Sequence, residues 1–335
     1  MTSHSFYQNK KILVTGSSGL LGSWLVEKLI ANEAILTGIS IDNSKDELLI
    51  SKGILQSIKN NYFDIADYEK VEKVISNENF DLVFHLAAQT QVTDALKNPI
   101  DTLKSNVQGT WNILEACRKF DLPIVSASSD KAYGISDNLP YLESHPLNGE
   151  FPYEVSKSTS DLISTMYKTT YGLNIASLRC GNIFGGGDFN WDRLIPGIIR
   201  YLLEDKTPVL RNKGDFIREW VYVEDVVNAY LETGIAIVKK RNNYSAYNFS
   251  SGEVKTVMEV YETLSLLIKG EIVKPNIQAA SDFEIKDQKL DTSLIENDLN
   301  ITSKFNFEES LIKTINWYKE YLIDFSDSGK LKKDK

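Results

Sequence analysis

The run Lys11-Ile12-Leu13-Val14-Thr15 is followed without a break by GSSGLLG, Gly16 to Gly22, and then by Leu21, Leu25 and Leu29 at helical spacing. A short apolar strand, a glycine-dense turn and an amphipathic helix in that order constrain the fold more than any other stretch of this chain. Glycine permits the sharp turn and lets backbone N–H groups at the helix N-terminus approach a phosphate. The spacing is GxxGxxG. It is not a Walker loop, because Ser23 and not Lys follows Gly22. Asp42 ends the next strand, twenty residues beyond Gly22, where a carboxylate accepts hydrogen bonds from an adenosine ribose. Together these predict a bound dinucleotide. With no arginine beside Asp42 they favour NAD over NADP, and a methyltransferase on a related sheet is the rival.

The alternation continues. Strands are expected at Ile35–Ile41, near Ser57–Tyr62, at Asp81–Leu86, at Pro123–Ala127 and at Asn174–Arg179. Helices are expected from Leu20 to about Ile30, at Asp67–Ser76, Ile100–Lys119 and Tyr153–Tyr171. This is the pattern of βαβ units. The expected class is α/β, a Rossmann-type doubly wound parallel sheet with a smaller mixed C-terminal substrate domain. Residues 1–180 would form the nucleotide-binding domain, with elements near 219–250 returning to it. Residues 181–335 would be mainly the substrate domain. NIFGGGDFN, Asn182 to Asn190, reads as a loop, and helical pieces follow at Leu194–Glu204, Glu224–Lys239, Thr256–Ile268 and Phe307–Leu322. The tail, 326–335, is charged, offers nothing to a core and is expected to fray.

A net charge of −9 argues against a nucleic-acid or anionic-membrane partner. The start lacks an apolar targeting segment and no run is long enough to span a bilayer, so the cytoplasm is the expected location. Cys117 on a helix stripe and Cys180 at a strand end read as small buried residues. His4, His85 and His145 have no metal-ligand spacing, and no metal is expected.

The chemistry concentrates in SSDKAYG, Ser128 to Gly134, at the carboxyl end of a buried strand where open α/β sheets bind ligands. PYEVSK comes next and puts Tyr153 and Lys157 one helical turn apart. A phenol becomes a base near neutral pH only when its anion is stabilised, and a lysine one turn away supplies that charge. A hydroxyl, an acid, an amine and a Tyr/Lys pair beside a dinucleotide indicate redox chemistry with proton transfers.

GxxGxxG, HLAAQ (His85 to Gln89), NVQGTWNILEA (Asn106 to Ala116) and YxxxK resemble the extended short-chain dehydrogenase/reductase superfamily over about residues 9–322. SSDKAYG resembles its nucleotide-sugar 4,6-dehydratases. Asp followed by Lys resembles CDP-glucose 4,6-dehydratases and some UDP-N-acetylglucosamine dehydratases; CGNIFGGGDFNWDRLIPGIIR, Cys180 to Arg200, is most similar to the CDP-glucose group, whereas RNKGDFIREWVYVEDV, Arg211 to Val226, departs from it.

The resemblance implies NAD held by Gly16, Ser18, Gly19, Leu20, Gly22, Asp42, Asp64, Ile65, Ala87, Ala88, Gln89, Tyr153 and Lys157. It implies catalysis by Ser129, Asp130, Lys131, Tyr153 and Lys157. A nucleotide-diphosphate sugar would lie against Gln91, Asn182, Arg193, Arg211 and Arg218, the arginine forks suiting phosphate oxygens. It also implies a homodimer formed through the helices containing Leu114 and Met166. The expected activity is NAD-dependent loss of water from a nucleotide hexose, CDP-glucose-like, with UDP-, GDP- and dTDP-sugars open. A 4-epimerase or carbon-4 dehydrogenase is the alternative, and a non-catalytic NAD-binding protein the remote one.

Overall fold

The computed structural model describes residues 3–211, 213–278 and 285–327. Seven parallel strands make the central sheet: β1 (Lys11–Thr15), β2 (Ile35–Ser40), β3 (Ile58–Tyr62), β4 (Leu82–His85), β5 (Ile124–Ser129), β6 (Ile175–Cys180) and β10 (Ala246–Phe249), in the order β3-β2-β1-β4-β5-β6-β10. The direction of winding reverses between β1 and β4, which opens a crevice at their carboxyl ends. Both faces are covered, so neighbouring residues of one strand enter opposite cores. Ile12 and Val14 pack with Leu25, Val226 and Tyr230, while Leu13 packs with Ile39, Val83 and Ile113. The near-continuous apolar runs read as strands result from this two-sided burial.

Beyond β6 the chain builds β7 (Asn182–Phe184), β8 (Val209–Leu210), β9 (Ile217–Tyr222), β11 (Val254–Thr256) and β12 (Asn276–Ile277). β7 and β9 pair in parallel, β9 and β11 antiparallel, and β8 pairs with β12. β10 lies against β6 at the edge of the first sheet. The stretch read as a loop from Asn182 begins instead as β7, because Trp220 to Tyr222 of β9 offer it a ladder from a distant part of the chain.

Two other expectations are corrected. The single helix drawn over Ile100–Lys119 is a helix at Pro99–Leu103, a π turn at Lys104–Gln108 and a helix at Gly109–Lys119. A short helix at Val92–Lys97, unread in the sequence, precedes it. The last helix, expected to end at Leu322, runs to Asp327; positions 328–335 of the expected tail lie outside the described residues. Both cysteines are buried and free. His85 is a satisfied core residue: Nδ1 meets Thr15 Oγ1 at 2.7 Å and Nε2 meets Thr110 Oγ1 at 3.0 Å. Burial pushes its pKa down to about 3, which keeps it neutral. Among the described residues no helix is long and apolar enough to cross a membrane.

Candidate active site

The glycine turn is fixed by contact with the neighbouring strand's loop. Gly16 has a φ of +72°, and a Cβ there would lie 2.7 Å from the Ala87 amide nitrogen. A Cβ on Gly22 would lie 2.0 Å from the Gly16 carbonyl oxygen. Both positions therefore require glycine. A Cβ on Gly19 would meet only the Gly16 carbonyl oxygen, at 3.4 Å, so no protein atom crowds the side on which a phosphate would sit. Gly19 caps the helix Leu20–Ala31 without a side-chain bond to its first N–H groups. The Ser18 hydroxyl donates to buried Asp46 at 2.6 Å and meets Ser40 Oγ at 2.7 Å, so it braces the turn.

Asp42 stands two residues beyond β2 and caps the turn Asn43–Lys45, accepting from the Ser44 amide at 2.8 Å and from the Ser44 hydroxyl. Those bonds hold its carboxyl below the usual range, so it is a charged acceptor at the crevice rim. Asp64 is exposed and accepts from the Ala66 amide at 2.9 Å. Ile65 is buried against Gly109, and the Asn112 amide donates to its carbonyl at 2.9 Å. Ala87, Ala88 and Gln89 leave β4 across the mouth of the crevice. Thr15 Oγ1 holds the Ala87 amide at 3.2 Å.

Asn106 organises this loop. Its Oδ1 accepts from the Gln89 amide at 2.7 Å, and its Nδ2 donates to the Gln89 carbonyl and to Ser156 Oγ, each at 2.9 Å. It thereby ties the loop after β4 to the helix Pro152–Tyr171 that carries Tyr153 and Lys157. It sits in the π turn, a distortion frequent at functional sites that periodicity does not reveal. Sequence reasoning quoted the motif around Asn106 without assigning it a part.

At the end of β5, Ser129 Oγ donates to Asp130 Oδ1 at 2.9 Å and accepts from the Lys131 amide at 3.3 Å. Asp130 is 3% exposed. Lys131 Nζ lies 4.0 Å from Asp130 Oδ1 and donates to Gln288 Oε1 at 3.0 Å. Tyr153 is buried, and that burial pushes its phenol up to about 12. Arg193 pulls it down, Asp130 pushes it up, and a hydrogen bond with Ser129 pulls it down slightly. Arg193 is thus a cation that lowers the phenol, in addition to the Lys157 to which the one-turn spacing points. Lys157 Nζ donates to the Ala127 carbonyl at 3.1 Å, and burial pushes it down to about 8.

The floor of this stretch is a buried ion pair. Asp161 takes Arg179 Nε at 2.9 Å and Nη2 at 2.8 Å, and accepts from the Ser128 hydroxyl at 2.7 Å. Arg179 also donates to the Tyr133 hydroxyl at 2.7 Å. Neither residue was singled out in the sequence, since each has meaning only with its partner in place.

The chain thus carries a strand–turn–helix fitted for a pyrophosphate and a buried Tyr/Lys pair on the helix after β5. The model of the NAD dependent epimerase/dehydratase family matches residues 12–248. This chain belongs to that family. It is 29% identical to CDP-glucose 4,6-dehydratase of Salmonella typhimurium, covering 96% of this chain and 94% of that one. It is 31% identical to a putative UDP-glucose 4-epimerase of Methanocaldococcus jannaschii, covering 92% and 98%. Among solved structures it is similar to DesIV, the dTDP-glucose 4,6-dehydratase of Streptomyces venezuelae with NAD and TYD bound, at a TM-score of 0.83 and 25% identity, covering 92% and 97%. The extended short-chain dehydrogenase/reductase resemblance is thereby established, and the cofactor of the family is NAD.

The residues present fit that cofactor. The turn demands glycine at two points, and among the described residues Asp42 is a charged acceptor without an ion-pair partner and the buried Gln89 Oε1 lacks a hydrogen-bond partner.

The residues expected on the substrate are more scattered. Arg193 precedes the helix Leu194–Leu203 and holds Asp188 Oδ2 and Thr90 Oγ1, each at 2.9 Å, beside Tyr153. Gln91 is on the same loop as Thr90, and its carbonyl accepts from Gln89 Nε2 at 2.9 Å. Asn182 Nδ2 donates to the Glu219 carbonyl at 3.3 Å. Arg211 is exposed and paired with Asp192, the residue before Arg193, at 2.5 Å. Arg218 is buried, and its guanidinium donates to the Ile217, Ile285 and Lys286 carbonyls at 2.6–2.8 Å.

Proposed function

We propose that this chain is an NAD-dependent nucleotide-sugar 4,6-dehydratase, a hydro-lyase whose substrate is a nucleotide-diphosphate hexose, CDP-glucose-like by preference. The observation that carries this reading is the Asp130–Lys131 pair. An acid and an amine 4.0 Å apart adjoin Ser129 and Tyr153, the groups that would oxidise carbon 4. Oxidation alone needs neither of them. Loss of water across carbons 5 and 6 needs both, one to remove the proton on carbon 5 and one to protonate the departing hydroxyl.

Gly16, Ser18, Gly19, Leu20 and Gly22 would hold the NAD pyrophosphate. Asp42 would take the adenosine ribose, Asp64 and Ile65 the adenine side, and Ala87, Ala88 and Gln89 the crevice between them. When bound, NAD would supply a reversible hydride acceptor for the chemistry at carbons 4 and 6. Tyr153 removes the proton of the carbon-4 hydroxyl, and Ser129 hydrogen-bonds that oxygen. Burial holds the phenol at about 12, so the step depends on cations: Arg193 beside the phenol, and Lys157, which also holds the nicotinamide ribose. The new ketone acidifies carbon 5, where Lys131 takes the proton while Asp130 gives its own to the carbon-6 oxygen as that bond breaks. Lys131 then returns a proton to carbon 5. Gln91, Asn182, Arg193, Arg211 and Arg218 are assigned to the nucleotide diphosphate and sugar. For Arg218 this requires exchange of its carbonyl partners for phosphate oxygens.

A cytoplasmic homodimer completes the reading. Trp111, Leu162 and Met166, on the helices expected at the interface, are 44%, 56% and 41% exposed.

The 31% identity to a putative UDP-glucose 4-epimerase gives the second reading, in which Asp130 and Lys131 only bind sugar. Turnover of CDP-, UDP-, GDP- and dTDP-hexoses in heavy water separates the two. A dehydratase gives a product lighter by one water, with deuterium at carbon 5 and, at early times, none in the new methyl group. A product of unchanged mass without solvent deuterium would make the chain an epimerase.

A further inference from the structure

We propose that Asp188 is a positioning residue for oxidation at carbon 4: together with Thr90 it aims the Arg193 guanidinium at Tyr153. This rests on the reading of Tyr153 as the group that takes the carbon-4 hydroxyl proton, and not on the later loss of water.

Asp188 closes the glycine run after β7, and its backbone is fixed independently of its carboxylate. A Cβ on Gly186 would lie 2.2 Å from Trp317 Cγ. Gly187 has a φ of +87°, and a Cβ there would lie 2.4 Å from Leu48 Cδ1. The run is therefore pressed between the last helix and the short helix Glu47–Ser51 beyond Asp42, at a separation that leaves room only for glycine. Trp24 Nε1 donates to the Gly186 carbonyl, and the buried Tyr318 hydroxyl donates to the Asp188 carbonyl, each at 2.8 Å.

The Asp188 side chain, on a residue 5% exposed, spends its oxygens on two partners. Oδ1 accepts from the Asn190 amide at 3.1 Å, and Oδ2 accepts from Arg193 Nη1 at 2.9 Å. Arg193 Nη2 donates to Thr90 Oγ1 at 2.9 Å, so the guanidinium is gripped at both ends of its fork. Thr90 follows Gln89, which Asn106 ties to Ser156 on the helix that carries Tyr153. The second anchor of the arginine is thus registered on the helix of the phenol. In keeping with that placement, the charge of Arg193 lowers Tyr153.

Folding does not account for the pair. The Arg193 side chain is 36% exposed, and an ion pair that open to water adds little to stability. The Asp188 backbone is held by Tyr318 and by the packing of the glycine run whether or not the pair forms. What the pair decides is where a long, flexible side chain at the crevice rim spends its time. Untethered, the guanidinium would visit many positions, few of them near the phenol. Tethered, its N–H groups not used in the two bonds can face the phenolate and substrate oxygens. With the tether cut, Lys157 alone would stabilise the phenolate, and removal of the carbon-4 hydroxyl proton would slow.

The test is a cycle of Asp188→Asn, Arg193→Gln and the double variant, each loaded with NAD. After rapid mixing with a saturating sugar nucleotide on which the wild type forms NADH, the rise in NADH absorbance times the oxidation. Asp188→Asn leaves a single oxygen for both donors and should slow that rise roughly ten- to a hundredfold. Arg193→Gln should slow it at least as much. In the double variant Asp188→Asn should add nothing, because a residue acting through Arg193 has no effect once Arg193 is gone, whereas a merely structural loss would persist. Additive losses, or oxidation at wild-type speed in Asp188→Asn, overturn the proposal. If Asp188→Asn does not fold, the cycle is run with Asp188→Glu, and additive losses there overturn it equally. Modification of Arg193 by phenylglyoxal, located by mass spectrometry, reads the grip without turnover. It should be several-fold faster in Asp188→Asn, and an unchanged rate overturns the proposal. If no sugar nucleotide gives NADH even in the wild type, the oxidation reading itself falls, while the modification rate still decides whether Asp188 holds Arg193.

Discussion

Asp161→Asn is the sharpest test of how the catalytic stretch is held. The substitution keeps the size of the side chain and removes its charge beneath Arg179, which is 5% exposed and keeps only the Tyr133 hydroxyl and the Glu143 carbonyl. Two charge-assisted bonds, at 2.9 and 2.8 Å, are weakened together. At about 1.5–3 kcal/mol each they give roughly 3–6 kcal/mol, in line with the roughly 3–5 kcal/mol typical of leaving one member of a buried pair alone. Urea unfolding followed by tryptophan fluorescence, at fixed NAD concentration because bound cofactor shifts the midpoint, reads the loss directly. Replacing both partners, as Asp161→Leu with Arg179→Met, should recover most of it, because desolvation of two charges is removed along with their attraction. Catalysis should fall in the single variant although Asp161 touches no reacting atom, since Ser128 and Tyr133 both lean on the pair. A loss below about 1 kcal/mol, or a double variant no better than the single one, would refute the account.

Three further outcomes are expected. Nucleotide released from the denatured protein should be NAD(H), because the charged Asp42 would repel the extra phosphate of NADP; mostly NADP(H) would remove the role given to it. Lys157→Met should abolish turnover yet stabilise the NAD-free fold. Below about 8 the lysine is protonated both folded and unfolded, so burial exacts its full cost there, and the cost fades as pH rises towards 10.5. At about 1.4 kcal/mol per pH unit the gain at neutral pH is at most about 3.5 kcal/mol; unfolding curves showing no gain near pH 7 would contradict this. Leu162→Lys with Met166→Lys should turn a dimer into a monomer in sedimentation, and a wild type that sediments as a monomer would discard the interface.

The features legible in the sequence were the local ones. The glycine turn, the Leu21–Leu25–Leu29 stripe and the two-sided strands are set by spacing within a dozen residues, and their alternation with helices implies a parallel sheet. Tyr153 and Lys157 were legible because a helix fixes their relation. The hidden features depend on partners far along the chain: Asn106 bridging Gln89 and Ser156, Asp161 meeting Arg179, Gln288 reaching Lys131, Leu290 capping Glu219. The π turn escaped for another reason: its apolar residues keep nearly helical spacing while the backbone gains a residue.

The path of the chain after β6 explains why the hidden partners gather at one place. Cys180 ends the strand beside Ser129, Gly181 comes next, and Asn182 already belongs to the second sheet. The two sheets therefore meet one residue from the catalytic stretch. β9 enters that junction with Arg218 and Glu219, and Gln288 and Leu290 cross it with their bonds to Ile217 and Glu219. The groups that would oxidise carbon 4 are thus built, Arg193 apart, from the first sheet and its helices, while the segments 217–219 and 285–291 add to the surroundings of Asp130 and Lys131. Substitutions in those two segments can alter the fate of the carbon-4 ketone and leave the oxidation itself in place.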